Sequence, residues 1–214
     1  MLRLNESQRD DLRTAVRAIG SIDTVRAELA RLYADFQVEL DARKPRCDRS
    51  GRCCRFEEYG HRLFVTTLEL AAFVDSVRPL SPSPGTPGEG RGEGRASEIA
   101  SRPHPNPLPV YGSTELAEVR AREPDRPWDG TGCPYQIDGL CSVHTIRPFG
   151  CRVYFCDPTA TEWQNEQYER FHNRLKSMHQ THGAAYYYVE WREALSALGL
   201  ATEPKNPGCS LPIV

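Results

Sequence analysis

From residue 5 to residue 44 the apolar positions recur every three or four residues. Ile22, Val25, Leu29, Leu32, Phe36 and Leu40 form one stripe, the spacing of a helix face turned toward a core. Gly20 separates this helix from a shorter one before it, and Ser21 is placed to act as its N-cap. These helices are expected to pack on the rest of the chain or on a second copy. Farther on, His61 to Val65 reads as a short strand, and Thr66 with Glu69 forms a capping box that opens a helix over Leu68 to Val77. A second long helix is predicted from Thr161 to His182, with Tyr168, Phe171, Leu175 and Met178 on one face and Gly183 as its stop. The run Tyr186-Tyr187-Tyr188-Val189 leaves the last element, over 186–198, open between strand and helix. Trp163 and Trp191 read as packing residues.

Residues 78–112 break the pattern. They hold eight of the 17 prolines, Pro79, Pro82, Pro84, Pro87, Pro103, Pro105, Pro107 and Pro109, together with five closely spaced glycines from Gly85 to Gly94. Such a stretch buries too little apolar surface to offset the entropy of ordering it. Its phrases resemble a translated repetitive DNA element, and it is expected to be a disordered insertion with no part in a site. A proline-rich docking segment is the alternative. A short helix over 114–123 is expected after it. The organisation that follows is N-terminal helices over 1–44, a cysteine-bearing domain over 45–77 and 113–200, the insertion over 78–112, and a tail over 201–214.

Composition narrows the function classes. The 214 residues carry 27 Lys and Arg against 29 Asp and Glu, a net charge of -2, so nothing points to nucleic acid or an anionic membrane as the main partner. The charged N-terminus lacks the apolar run of a signal peptide, and no segment approaches the roughly 18 apolar residues of a membrane span. A cytoplasmic location is the expectation, and thiols stay reduced there. Eight cysteines in such a chain point to metal ligation or redox chemistry rather than to disulfides.

Seven of the eight fall in two groups. The first is Cys47, Cys53 and Cys54, with Ser50-Gly51 supplying a sharp reversal. The second is Cys133, Cys141, Cys151 and Cys156. Asp138-Gly139 between apolar residues is a two-residue hairpin signal that would bring Cys133 and Cys141 near each other, and a turn at Pro148 leads to Cys151. Soft, charged thiolates presented from turns are what zinc or an iron–sulfur cluster requires. Reduced core cysteines and redox-active thiols are the competing readings. Adjacent cysteines such as Cys53 and Cys54 are poor disulfide partners.

The segment Cys47-x-x-Ser50-Gly51-x-Cys53-Cys54 resembles the CxxCxxCC opening of the YkgJ-like cysteine-cluster family, a zinc- or iron-chelating domain. Cys133-Pro134-Tyr135, then Gly139-Leu140-Cys141 with His144, then Arg147-Pro148-x-x-Cys151-Arg152 and Cys156, are similar to that family's second half. The resemblance implies a metal centre held by Cys47, Cys53, Cys54, Cys133, Cys141, Cys151 and Cys156, occupied by an iron–sulfur cluster or by zinc. Ser50 stands where the family carries a cysteine, and a serine hydroxyl is a poor ligand for a soft metal. A second site would have to borrow Cys209 or a histidine.

Among neighbouring residues, His144 is the foremost non-cysteine candidate. His172, His179 and His182 share a helix without a metal-binding pattern. Arg147 and Arg152 either orient thiolates or pair with carboxylates. No dinucleotide, P-loop, nucleophile-elbow or radical CxxxCxxC motif is present. The first functional reading is therefore a non-enzymatic metal-binding protein. The second is an iron–sulfur-dependent protein-modifying enzyme, because the family is similar to flagellin lysine N-methylases in its cysteine cluster; no S-adenosylmethionine site is recognisable. The third is a structural zinc module for protein–protein contact. The expected fold is α+β and mainly helical, with helices at both ends around a small, metal-stabilised, loop-rich centre with a short β-hairpin.

Overall fold

The apolar stripe becomes the buried face of helix α2 (Asp23–Arg43). Val25, Leu29, Leu32 and Phe36 are buried, whereas Ile22 at the start is 36% exposed. Ile22, extended at φ -102° and ψ 99°, is the N-cap in place of the expected Ser21, and its side chain makes no capping hydrogen bond. At the other end Lys44 turns left-handed at φ 49° and returns its N–H to Leu40. Helix α1 (Glu6–Gly20) precedes it and buries Leu12, Val16 and Ile19.

A computed structural model describes residues 4–20, 22–77, 128 and 130–201. The expected insertion over 78–112, the helix over 114–123, Ser21, Cys209 and the tail past residue 201 lie outside the described residues.

Helix α3 (Phe56–Tyr59) closes at Gly60, φ 67°, and His61 still donates its N–H to Phe56 at 3.1 Å. The chain is therefore not free to extend at residue 61. Strand β1 runs over Phe64–Thr66, three residues later than expected. Half of the capping box forms: the Thr66 N–H and hydroxyl each donate to Glu69 Oε2 at 2.9 Å, and helix α4 (Thr67–Val77) follows, one residue earlier than expected.

The hairpin comes next, β2 (Gln136–Ile137) and β3 (Leu140–Cys141), then the short helix α5 (Phe149–Val153) and the long α6 (Thr161–Thr181), which stops at Gly183. The tyrosine run resolves into strand β4 (Tyr188–Glu190) and then helix α7 (Trp191–Ala197). Strand β4 pairs antiparallel with β1, Phe64 opposite Glu190 and Thr66 opposite Tyr188.

Helix α1 packs on α4 and α7, and α2 on α4 and α6. Phe36 from α2, Phe149 from α5 and Phe171 from α6 meet at centroid distances of 4.9–5.4 Å. The N-terminal helices and the cysteine segments contribute to one hydrophobic core, which includes Cys54 and Cys133. The start of α1 is tied to α7, since the Leu4 N–H and Arg9 both donate to Glu193 Oε1 at 3.1 and 2.7 Å. The architecture is α+β and mainly helical. No described helix is long and apolar enough to cross a membrane.

Candidate metal centre

Backbone geometry brings the two cysteine groups together. The chain leaves α2 and is caught at Arg46, whose N–H donates to Asp157 Oδ2 at 3.0 Å. It reverses at Gly51, φ 69°, into a single 3-10 turn over Arg52–Cys54. Gly51 touches the tip of the hairpin: a Cβ there would lie 2.4 Å from the Gly139 carbonyl oxygen and from Gln136 Nε2. Both the positive φ and the close approach require glycine. Gln136 Nε2 donates to the Gly51 and Gly139 carbonyls at 3.0 and 3.1 Å, which fastens turn to hairpin.

A second fastening lies beside the first. The Cys133 N–H donates to the Cys54 carbonyl at 2.7 Å, and a Cβ on Gly132 would sit 2.8 Å from that oxygen. The loop before Cys133 is held by Arg192, which donates to the Gly130 and Thr131 carbonyls at 2.9 and 3.1 Å. The hairpin itself turns through Asp138 at φ 51° and Gly139 at φ 79°, both left-handed as a two-residue turn of this kind requires. Its register places Gln136, not Cys133, opposite Cys141. The sulfurs of Cys133 and Cys141 nonetheless both act on Cys54.

Helix α5 supplies Cys151. Pro148 is its N-cap, and the Phe149 N–H donates to Glu69 Oε1 at 2.7 Å. Glu69 thus joins the cap of α4 to the start of α5, with the Tyr33 hydroxyl donating from α2 at 3.4 Å. Burial pushes its carboxyl pKa up, against the pull of these donors.

Cys53, Cys54, Cys133, Cys141 and Cys151 share one neighbourhood. The Cys53 and Cys54 sulfurs lie 4.0 Å apart. Cys133, then Cys141, Cys53 and burial push the Cys54 thiol far up. Contact with Cys54 pulls the Cys53 thiol down to about 6 and the Cys141 thiol to about 7, with Arg147 adding to both. Burial, followed by the charge of Cys133, raises Cys151 well above the ordinary thiol range. Cys133 accepts a hydrogen bond from Trp191 Nε1 at 3.4 Å, so Trp191 touches the centre as well as packing the core.

The other two candidates are peripheral. Cys156 Sγ lies 3.7 Å from Ser50 Oγ, so the serine at the position of the missing cysteine faces a thiol. Cys47 is exposed. His144 is exposed too. The three histidines on or at the end of α6 have separate partners: His172 the Tyr186 hydroxyl, His179 the Ala184 carbonyl through Nδ1, and His182 Glu28.

Sequence reasoning missed His61, which stacks on Tyr154 at 4.9 Å and bonds the Cys53 carbonyl at 3.3 Å. It also missed the contact of Trp191 with Cys133, 58 residues away, for which no local pattern exists.

The donors suit a soft metal: several thiols, buried or half-buried, drawn from three separate segments. They are not closed around a point, since no group of three or more His, Cys, Asp or Glu among the described residues is placed to hold an ion. Comparison with known protein families, with characterised proteins and with solved structures finds no match.

Proposed function

We propose that this chain is a thiolate metal-binding protein that takes iron, as an iron–sulfur cluster, or zinc. Cys53, Cys54, Cys133, Cys141 and Cys151 form the principal ligand pool, and Cys156 and Cys47 supply the outer positions. The observation that carries this reading is the meeting of the two cysteine groups at Cys54, whose sulfur lies 4.0 Å from that of Cys53 and whose carbonyl accepts the Cys133 N–H at 2.7 Å. Plain core cysteines have no reason to gather, whereas soft ligands serving one metal do. The reading requires the thiols to rotate inward on binding. It agrees with the resemblance to the YkgJ-like family and with a reducing cytoplasm, where such thiols stay available. A bound iron–sulfur cluster would supply one-electron chemistry, and zinc would supply folding free energy.

The test is anaerobic purification of the full chain followed by elemental analysis and absorption spectroscopy. Stoichiometric iron with visible sulfide-to-iron bands, or stoichiometric zinc in colourless protein, is the expected result. Cys54→Ser and Cys151→Ser should each lose the metal while keeping the helical far-UV signal. Protein that carries neither metal and cannot be reconstituted with either would sink the proposal.

A further inference from the structure

A cavity of about 550 Å³ lies where α1, α4 and the end of α7 meet, with Arg26 of α2 also lining it. None of its lining residues belongs to the cysteine-bearing loops. The space exists because the facing side chains are short: Ala71 from α4, Ala197 from α7, and Gly199 just past that helix at φ 70°. The buried Val16 and Val74 and the half-buried Leu198 complete an apolar wall. A second gap, too narrow to hold water, lies among Val25, Leu29 and Leu68 and shares Ala71 with the cavity. The wall at Ala71 is therefore backed by apolar side chains. The size is that of a small-molecule site, for which roughly 300–1,000 Å³ is usual.

Two bridges hold the walls in place. Arg13 of α1 donates from Nε to the Ala197 carbonyl at 2.7 Å, while its Nη1 is taken by Asp10 and Glu6 at 2.6 and 3.1 Å. Arg26 pairs with Asp75 at 3.0 Å and so joins α2 to α4. Arg17, one helical turn beyond Arg13 on α1, also lines the cavity. It is exposed, and its guanidinium has no ion pair among the described residues. The lining thus carries three guanidinium groups against the single carboxylate of Asp75, and the bridges use two of the three. An apolar wall beside one uncommitted cation calls for a ligand with an apolar body and one negative charge. The planar fork of arginine fits a carboxylate through two parallel hydrogen bonds.

We propose that this cavity binds a small amphipathic carboxylate as the free acid anion, its apolar body against Val16, Val74 and Leu198 and its carboxylate on Arg17. The site is separate from the cysteine centre and stands whether or not that centre holds a metal.

The experiment titrates the full chain with octanoate and with 1-octanol, which share an alkyl chain and differ at the charged end. Binding is followed by calorimetry and by backbone amide NMR shifts. Octanoate should saturate one site with a Kd below about 1 mM and shift amides of α1, of α4 and of residues 196–199. The alcohol should bind roughly tenfold more weakly, having no charge-assisted hydrogen bonds to offer. Arg17→Gln, at an exposed helical position that glutamine suits, should weaken octanoate about tenfold and leave 1-octanol within about twofold of wild type. Arg17→Lys keeps the cation without the fork and should cost about threefold. Ala71→Leu fills the cavity and should abolish binding of both compounds; should it fail to fold, the Arg17→Gln comparison decides alone. Octanoate that does not saturate by about 10 mM overturns the proposal. So do equal affinities for octanoate and 1-octanol, wild-type octanoate affinity in Arg17→Gln or in folded Ala71→Leu, and shifts confined to the cysteine-bearing loops.

Discussion

Around Phe36 and Trp191 the chain is held by apolar contact, whereas between Gly51 and Cys141 it is held by backbone hydrogen bonds and by glycines pressed against carbonyls. The first region buries large side chains from α1, α2, α4, α6 and α7 in one core. The second offers short elements, a 3-10 turn, a hairpin with two residues per strand and a five-residue helix. It reaches the same core through Cys54, Cys133, Tyr135 and Phe149, but the path of its loops depends on hydrogen bonds that tolerate little displacement. The helical region gains stability from area, which many sequences could supply. The loop region gains position from a few exact donors, which is what a ligand cluster needs and what area cannot provide.

The contrast breaks most severely at Trp191, the residue common to both regions. It is 1% exposed, meets Phe73 edge-on at 4.8 Å and donates to Cys133. Trp191→Ala should destabilise the whole chain by about 3–5 kcal/mol, measured by denaturant unfolding. A loss below about 1 kcal/mol would show that the core does not depend on it.

Gly51→Ala sharpens the comparison from the other side. The new Cβ meets a backbone oxygen at 2.4 Å in a left-handed conformation. The strain alone costs about 1–2 kcal/mol, and relief requires turn and hairpin to separate. The expected result is loss of metal retention and of hydrogen-exchange protection at Cys54 and Cys133, with protection in α2 and α6 kept. Equal loss in both regions would mean that they unfold as one unit.

Glu69→Gln is the smallest of these effects and depends on pH. Burial raises the folded pKa of Glu69, so the folded state holds its proton longer than the unfolded chain does. The contribution of this linkage is fully present below the ordinary glutamate range and is lost as pH rises through the folded value. Glutamine cannot ionise, and its amide replaces one acceptor with a donor that faces Thr66 or Phe149. The variant should be less stable by about 1 kcal/mol at low pH, with the gap narrowing as pH rises, measured as the difference in unfolding free energy. A gap that widens with pH would contradict the assigned direction.

The helical region was largely legible in the sequence because its code is periodic. Val25, Leu29, Leu32 and Phe36 face the core as their spacing predicts, and Phe171, Leu175 and Met178 do the same. The Asp138-Gly139 turn was also a local signal and formed as read, and the Glu69 carboxylate reached back to the Thr66 N–H as half of the expected capping box. Strand β1 started later than expected because Gly60 and the Phe56–His61 bond were still closing the preceding turn. Within the candidate site, the residue types were legible and their grouping was not. Nothing in the spacing of seven cysteines shows five in one neighbourhood with Cys156 beside Ser50 and Cys47 exposed.

The sequence by itself determined which segments are helical, where the chain turns, and that soft ligands are concentrated in two groups. Each of these follows from residues within a few positions of one another, where backbone preference and apolar period act directly. Only the tertiary structure decided that Cys54 lies against the chain at Cys133, that Glu69 ties α4 to α5, and that Arg152 is spent on carbonyls. Those outcomes depend on which donors and charges from distant segments arrive at the same place. Burial then sets their strength, by removing the water that would otherwise satisfy each group alone.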